Sequence, residues 1–200
     1  MKRNVTHSFL LSLCAITLSA CQSTYNVVDT VRIKQAEQEN LGQNAAIYCS
    51  GAKSCEFERL NDITVVDAQT RRISNQAIHQ GIVRLQGSVL SQTNSLYLSV
   101  PAKQYEVVIR FYPISPDRAE TFHVIHQFNA NHRYTFKMYR DKSNRSGSLL
   151  NVSVPDPLCV DLEQDGHVIR RFCRPFDVTT GLGEFLEQKK LTPQIGRAHV

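Results

Sequence analysis

Tyr105-Glu106-Val107-Val108-Ile109-Arg110-Phe111 decides the fold. Successive side chains of a strand point to opposite faces, so Tyr105, Val107, Ile109 and Phe111 share one side. The same period of two returns in Glu120–Phe128, which aligns Phe122, Val124, His126 and Phe128. It returns again in Arg133–Tyr139, which aligns Tyr134, Phe136 and Met138.

Outward from this centre, further short runs read as strands: Ala45–Ser50, Cys55–Leu60, Ile63–Asp67, Ile82–Leu85, Leu96–Val100, Ser148–Val154, Leu158–Glu163 and Val168–Cys173. Pro, Gly, Asn and Ser punctuate them. Turn signals at Pro101–Gln104, Asn129–His132 and Asp165-Gly166 separate consecutive runs by hairpin distances. Helix signals are few. Ser74–Gln80, with Gly81 as a stop, fits two turns, and Gly183–Lys190 has acids early and lysines late, which suits the helix dipole. The pattern predicts a mainly β domain, an antiparallel β-sandwich or barrel-like fold with one or two short helices.

The run from Leu158 to Arg174 is specific enough to predict a register. A two-residue turn at Asp165-Gly166 pairs Gln164 with His167, Leu162 with Ile169 and Asp161 with Arg170, matching apolar with apolar and acid with base. Continued strictly, it sets Cys159 opposite Phe172. One extra residue in the returning strand, placed at Arg170-Arg171 as a β-bulge, brings Cys159 opposite Cys173. A three-residue turn aligns the cysteines without a bulge but gives up the Leu162 with Ile169 match.

The stretch Ser95–Tyr139, about a quarter of the chain, resembles the small β-modules of PEGA-like and transthyretin-like bacterial envelope proteins: strand, tight turn at Pro101-Ala102-Lys103-Gln104, strand, loop, strand, turn, strand. The resemblance is one of pattern. It lacks the familiar turn glycine and carries over no site residues.

At the other end of the chain, Lys2 and Arg3 precede about twelve largely apolar residues, Phe9–Ala20, and small residues precede Cys21. This matches a secretory signal, too short for the roughly 20 apolar residues of a membrane-spanning helix. Leu18-Ser19-Ala20-Cys21 resembles the lipobox of bacterial lipoprotein precursors at every position. The resemblance implies that residues 1–20 are a signal peptide cut before Cys21 and that Cys21 carries acyl chains. It also implies a domain anchored to membrane lipid without spanning it. Gln22 is not the aspartate associated with inner-membrane retention, so the outer membrane is the expected address, with the domain facing the periplasm. Residues 21–44 are polar and read as a lipidated tether; as a flexible coil, the 23 residues from Gln22 to Asn44 would reach about 25 Å. A single domain spans 45–194. Ile195-Gly196-Arg197-Ala198-His199-Val200 is what the start of a widely used sequencing adapter encodes in frame, and is set aside as an assembly artefact.

With Cys14 in the signal and Cys21 acylated, four cysteines remain: Cys49, Cys55, Cys159 and Cys173. An even number in an oxidising compartment reads as two disulfides. Three connectivities are open, and closeness in sequence favours Cys49 with Cys55 and Cys159 with Cys173. Zinc is the competing reading, but neither pair has knuckle spacing and no histidine accompanies either pair at finger spacing.

The chain has 23 basic and 18 acidic residues; without Lys2 and Arg3 the excess falls to +3. That is no nucleic-acid footprint. Arg133, Lys137, Arg140, Lys142 and Arg145 nevertheless form a basic run interleaved with Tyr134, Phe136 and Tyr139. Arg133 and Lys137 fall opposite the aromatics, which suits a face toward an anionic partner, either lipopolysaccharide or an envelope protein. A solvated outer face requires the same pattern. His123 and His126, three apart on a strand, point to opposite faces and read as structural rather than as metal ligands. Asp161, Glu163, Asp165 and Gly166 imitate the opening of a calcium loop, yet position twelve is Phe172 where calcium needs a glutamate. Neither G-x-S-x-G, S-x-x-K nor H-E-x-x-H occurs, and no cofactor motif is found. The expected function is therefore non-catalytic binding or scaffolding in the cell envelope. The alternative is an envelope hydrolase with a non-contiguous active site.

Overall fold

The computed structural model describes residues 28–36, 43–86, 94–142, 156–174 and 183–189. Within them the strands are β1 Asn44–Ser50, β2 Ser54–Leu60, β3 Ile63–Thr64, β4 Val83–Leu85, β5 Leu96–Pro101 and β6 Lys103–Tyr112. They continue with β7 Glu120–Phe128, β8 Arg133–Arg140, β9 Leu158–Gln164, β10 His167–Arg174 and β11 Leu186–Glu187. Helix α1 covers residues 28–36, and α2 covers Asn75–His79, inside the span expected. The expected strand Ser148–Val154, the signal 1–20, Cys21 and residues 195–200 lie outside the described residues.

One sheet has seven strands in the order β11-β10-β9-β8-β1-β5-β4, the other four in the order β3-β2-β6-β7. Their apolar faces meet. Phe122 of β7 lies 5.8 Å from Phe136 of β8 and 5.1 Å from Phe172 of β10 between ring centres, and Phe128 lies 4.9 Å from Tyr134. The fold is a mainly antiparallel β-sandwich whose core is the side that the period of two selects. One pair is parallel: β1 runs beside β8, with Tyr48 opposite Thr135.

Two of the turn signals are not hairpins. Pro101–Gln104 joins β5 to β6, and Asn129–His132 joins β7 to β8, and each pair of strands lies in different sheets. A short turn serves a corner as well as a hairpin, and the chain must change sheets to bury both inner faces. Pro101 marks the corner because it has no N–H to extend a ladder. A third corner, between β1 and β2, needs Gly51, whose φ is +91°. A Cβ there would sit 2.1 Å from the carbonyl oxygen of Met138. Cys49 and Cys55 are bonded across this corner, so the disulfide staples one sheet to the other.

The Asp165-Gly166 turn is a hairpin, with both residues at positive φ, 52° and 84°, as a primed two-residue turn requires. Gln164 faces His167, and Cys159 faces Cys173 with its disulfide formed. The bulge exists but falls at Ile169, between Val168 and Arg170, so Arg170 faces Leu162 and Arg171 faces Asp161. This corrects the placement at Arg170-Arg171. The earlier bulge gives Asp161 a bidentate partner in Arg171, at 2.7 and 2.8 Å, and frees Arg170 to clasp Glu187 at 2.6 and 2.7 Å. Replacing Cys159 and Cys173 together by serine is expected to cost roughly 3 kcal/mol, the entropy of closing a loop of about fifteen residues. Chemical denaturation of the variant under non-reducing conditions measures it; an unchanged midpoint would contradict it.

Three further expectations need correction. The strand expected at Ile63–Asp67 stops at Thr64, because Asp67 Oδ1 accepts hydrogen bonds from the Gln69 and Thr70 N–H groups and the Thr70 hydroxyl, turning the chain. Instead of a helix, Gly183–Lys190 contains β11, paired with Phe172 and Cys173. Phe185 packs edge-on to Phe122 at 5.4 Å, and these tertiary contacts outweigh a charge pattern worth tenths of a kcal/mol. Finally, part of the tether is docked. Asp29 and Ile33, one helical turn apart in α1, are buried, Ile33 completely, and Arg32 Nη1 donates to Asn75 Oδ1 at 3.2 Å. The folded unit therefore starts before residue 45.

Candidate functional site

Burying Tyr134, Phe136 and Met138 turns Arg133, Thr135, Lys137 and Tyr139 of β8 to the outer face of the larger sheet. The parallel neighbour β1 places Tyr48 beside Arg133, whose guanidinium lies 3.8 Å over the ring. Tyr48 in turn stacks on Tyr97 of β5, with ring centres 4.7 Å apart and planes 12° from parallel. Arg84 of β4 is the cross-strand neighbour of Tyr97. It is 3% exposed, its Nη1 donates to the Val83 carbonyl at 3.4 Å, and its Nη2 has no hydrogen-bond partner. A row of Arg133, Tyr48, Tyr97 and Arg84 thus crosses four adjacent strands. Stacking uses the ring faces between Arg133 and Tyr97, so the row suits an oxyanion better than a sugar ring.

Arg133 is also held by its backbone. Asp165 Oδ1 accepts from the Arg133 N–H at 2.9 Å, and the Asp165 N–H donates to the Arg133 carbonyl at 2.8 Å. The second carboxylate oxygen of Asp165 meets His132 Nδ1 at 2.5 Å. The hydrogen bond from Arg133, then that from His132, keeps the Asp165 carboxyl below its ordinary value. A depressed carboxyl stabilises the fold above the unfolded value of about 3.9 and loses that contribution as pH falls through the folded value. The pin therefore persists at neutral pH.

Arg133 differs from the ion-paired arginines. Arg59 pairs with Glu106, Arg71 and Arg110 with Glu56, Arg170 with Glu187, Arg171 with Asp161, and Arg174 with Glu120. No carboxylate among the described residues lies within ion-pair distance of the Arg133 guanidinium. On the outer face of the smaller sheet the charges are mutually neutralised, and Tyr112, buried and bonded to Glu56, has its phenol pushed up to about 12.

The rest of the basic run does not form one patch with Arg133. Lys137 shares its face but leans to Glu163 at 3.8 Å. Arg140, at the end of β8, donates to the Asp156 carbonyl at 3.1 Å, and Lys142 follows in an exposed loop. Arg145 lies outside the described residues. His123 and His126 take opposite faces as expected: His123 meets Glu106 at 2.9 Å, while His126 packs edge-on to Phe128 and Tyr134. Burial, then the Arg170 charge, lowers the His126 imidazole below its ordinary value. Among the described residues no three metal-ligating side chains converge. The acidic series is dispersed in the hairpin, with Asp161 on Arg171 and Asp165 at the turn. A groove of about 390 Å³ lies among Ile169, Arg170, Glu187, Gln188 and Lys189. Its arginine is committed to Glu187 and to the Ile125 carbonyl.

Tyr48, Tyr97 and Arg84 were not legible as a site, because they come together only through strand order; the outward phase of Tyr48 within Ala45–Ser50 was the one local signal. Fold and face together define a disulfide-stapled, two-sheet β domain with an arginine–tyrosine row on its larger sheet. No family model matches this chain, and no curated protein or solved structure matches it.

Proposed function

We propose that this chain is a lipoprotein of the bacterial outer membrane, acylated at Cys21, whose β-sandwich faces the periplasm and acts by binding rather than by catalysis. The lipobox and the charged, apolar and small-residue order of the first 21 residues support the anchor. Two formed disulfides suit an oxidising compartment. The binding role rests on one observation: Arg133 is an exposed cation fixed by Tyr48 and by Asp165 and paired with no described carboxylate. Its complement is an anionic envelope component, and the phosphates of lipopolysaccharide fit it. The histidines support the non-catalytic reading, since His123 and His132 are bound to carboxylates and His126 is packed among aromatic rings.

Titrating the acylated protein, held in neutral vesicles, with phosphorylated oligosaccharide from lipopolysaccharide tests this face. Arg133→Glu with Lys137→Glu is expected to weaken binding about 30-fold, since a cation near an anionic surface contributes about 1 kcal/mol. The unfolding midpoint should not move, because both side chains are exposed. Unchanged affinity with unchanged salt dependence would return the face to a merely solvated one.

A further inference from the structure

Helix α1 buries Asp29 and Ile33 and leaves its other side uncovered: Val28 is 40% exposed and Val31 49%, one turn apart. Arg32 and Lys34 are exposed beside them. Six residues, Gln22 to Val27, separate α1 from Cys21. At full extension the seven steps from Cys21 to Val28 span about 25 Å. The acyl chains proposed on Cys21 therefore hold α1 within that distance of the bilayer, while Ile33 and Arg32 hold α1 against the domain.

We infer that the outer face of α1 is a membrane-contact surface, with Val28 and Val31 entering the interface and Arg32 and Lys34 meeting anionic headgroups. The inference rests on the acylation of Cys21 and adds to it an orientation of the domain. Apolar side chains flanked by cations are the composition of a helix lying in the interfacial plane. Attraction to anionic lipid falls off within a Debye length, about 8 Å at physiological salt, so the short tether lets these cations act. Adjacent Arg32 also bonds Asn75, at the start of α2, so the contact would fix the attitude of the whole sandwich.

The chain contains no tryptophan, so Val31→Trp makes a single reporter, and Val28→Trp a second should the first fold poorly. Ile125→Trp is the control, since Ile125 is exposed on β7, at the sheet edge opposite the β3 edge that α2 contacts. The proteins, with acylation of Cys21 verified by mass, are placed in vesicles of phosphatidylethanolamine and phosphatidylglycerol. The α1 reporter is expected to emit at shorter wavelength and to be quenched by lipids brominated near the headgroup, with the depth of about 5–10 Å that interfacial helices reach. The Ile125→Trp protein should remain unquenched. An acylated protein whose α1 reporters are unquenched, or quenched no more than the control, overturns the inference alone. An unacylated Cys21 overturns the anchor and this inference together. Arg32→Glu with Lys34→Glu should reduce quenching in anionic vesicles, and equal quenching in neutral ones would overturn the part assigned to charge.

Discussion

Replacing Asp161 by alanine is expected to destabilise the domain by about 4 kcal/mol, the cost of removing one partner from a buried ion pair. The Asp161 side chain is 5% exposed and that of Arg171 12%. Both carboxylate oxygens accept from the Arg171 guanidinium, at 2.7 and 2.8 Å, and the Tyr139 hydroxyl donates to Oδ1 at 3.3 Å. The hydrogen bond from Asp161 raises the Arg171 guanidinium above its usual value, so deprotonation cannot relieve the loss. Burial, then the Asp161 charge, raises the Tyr139 phenol as well. Asp161 lies directly beside the Cys159–Cys173 bond in the β9–β10 ladder. The damage should therefore appear as faster hydrogen exchange along both strands. Denaturant unfolding gives the magnitude. Asp161→Leu with Arg171→Met, which removes both charges and keeps apolar volume, should recover most of it. A single variant within about 0.5 kcal/mol of the parent, the range of ordinary surface substitutions, would show that the pair is not the hairpin's lock.

Strands were legible where one face is buried and the other wet. Glu120–Phe128 coincides with β7, and Arg133–Tyr139 falls one residue short of β8. Alternation states which residues share a face but not which strand lies alongside. The parallel meeting of β1 and β8, and with it the contact of Arg133 with Tyr48, was for that reason invisible. The Asp165-Gly166 hairpin was readable because its pairing is local, through Gln164 with His167 and the cysteine pair. Its bulge was misplaced because two consecutive arginines offered equal partners for Asp161, and only Glu187, 16 residues beyond Arg171, decides that Arg170 turns away. Docking of α1 was likewise hidden, since one isoleucine in a polar segment is a weak signal until Asn75 is seen beside Arg32.

Changing Cys21 to serine is expected to abolish membrane attachment of the mature domain. The serine offers no thiol for a diacylglyceryl group, and the lipobox Leu18-Ser19-Ala20-Cys21 would lose the residue that defines its cleavage. Two or three acyl chains, at about 0.8 kcal/mol per buried CH₂, account for stable anchoring, whereas one chain binds only marginally. The described residues include no helix long and apolar enough to cross a membrane. The contact proposed for α1, with two partly exposed valines, is too small to substitute for acyl chains. The variant should keep its signal or be cut elsewhere, carry no acyl chains, and leave the membrane fraction wherever cleavage does occur. The disulfides Cys49–Cys55 and Cys159–Cys173 should be unaffected once the domain reaches an oxidising compartment.

Intact mass spectrometry of the membrane-extracted wild-type protein tests the anchor most directly. A chain that begins at Cys21 and carries the mass of a diacylglyceryl group and an amide-linked acyl chain is the predicted result. A membrane-extracted chain whose Cys21 is present and unmodified would contradict it.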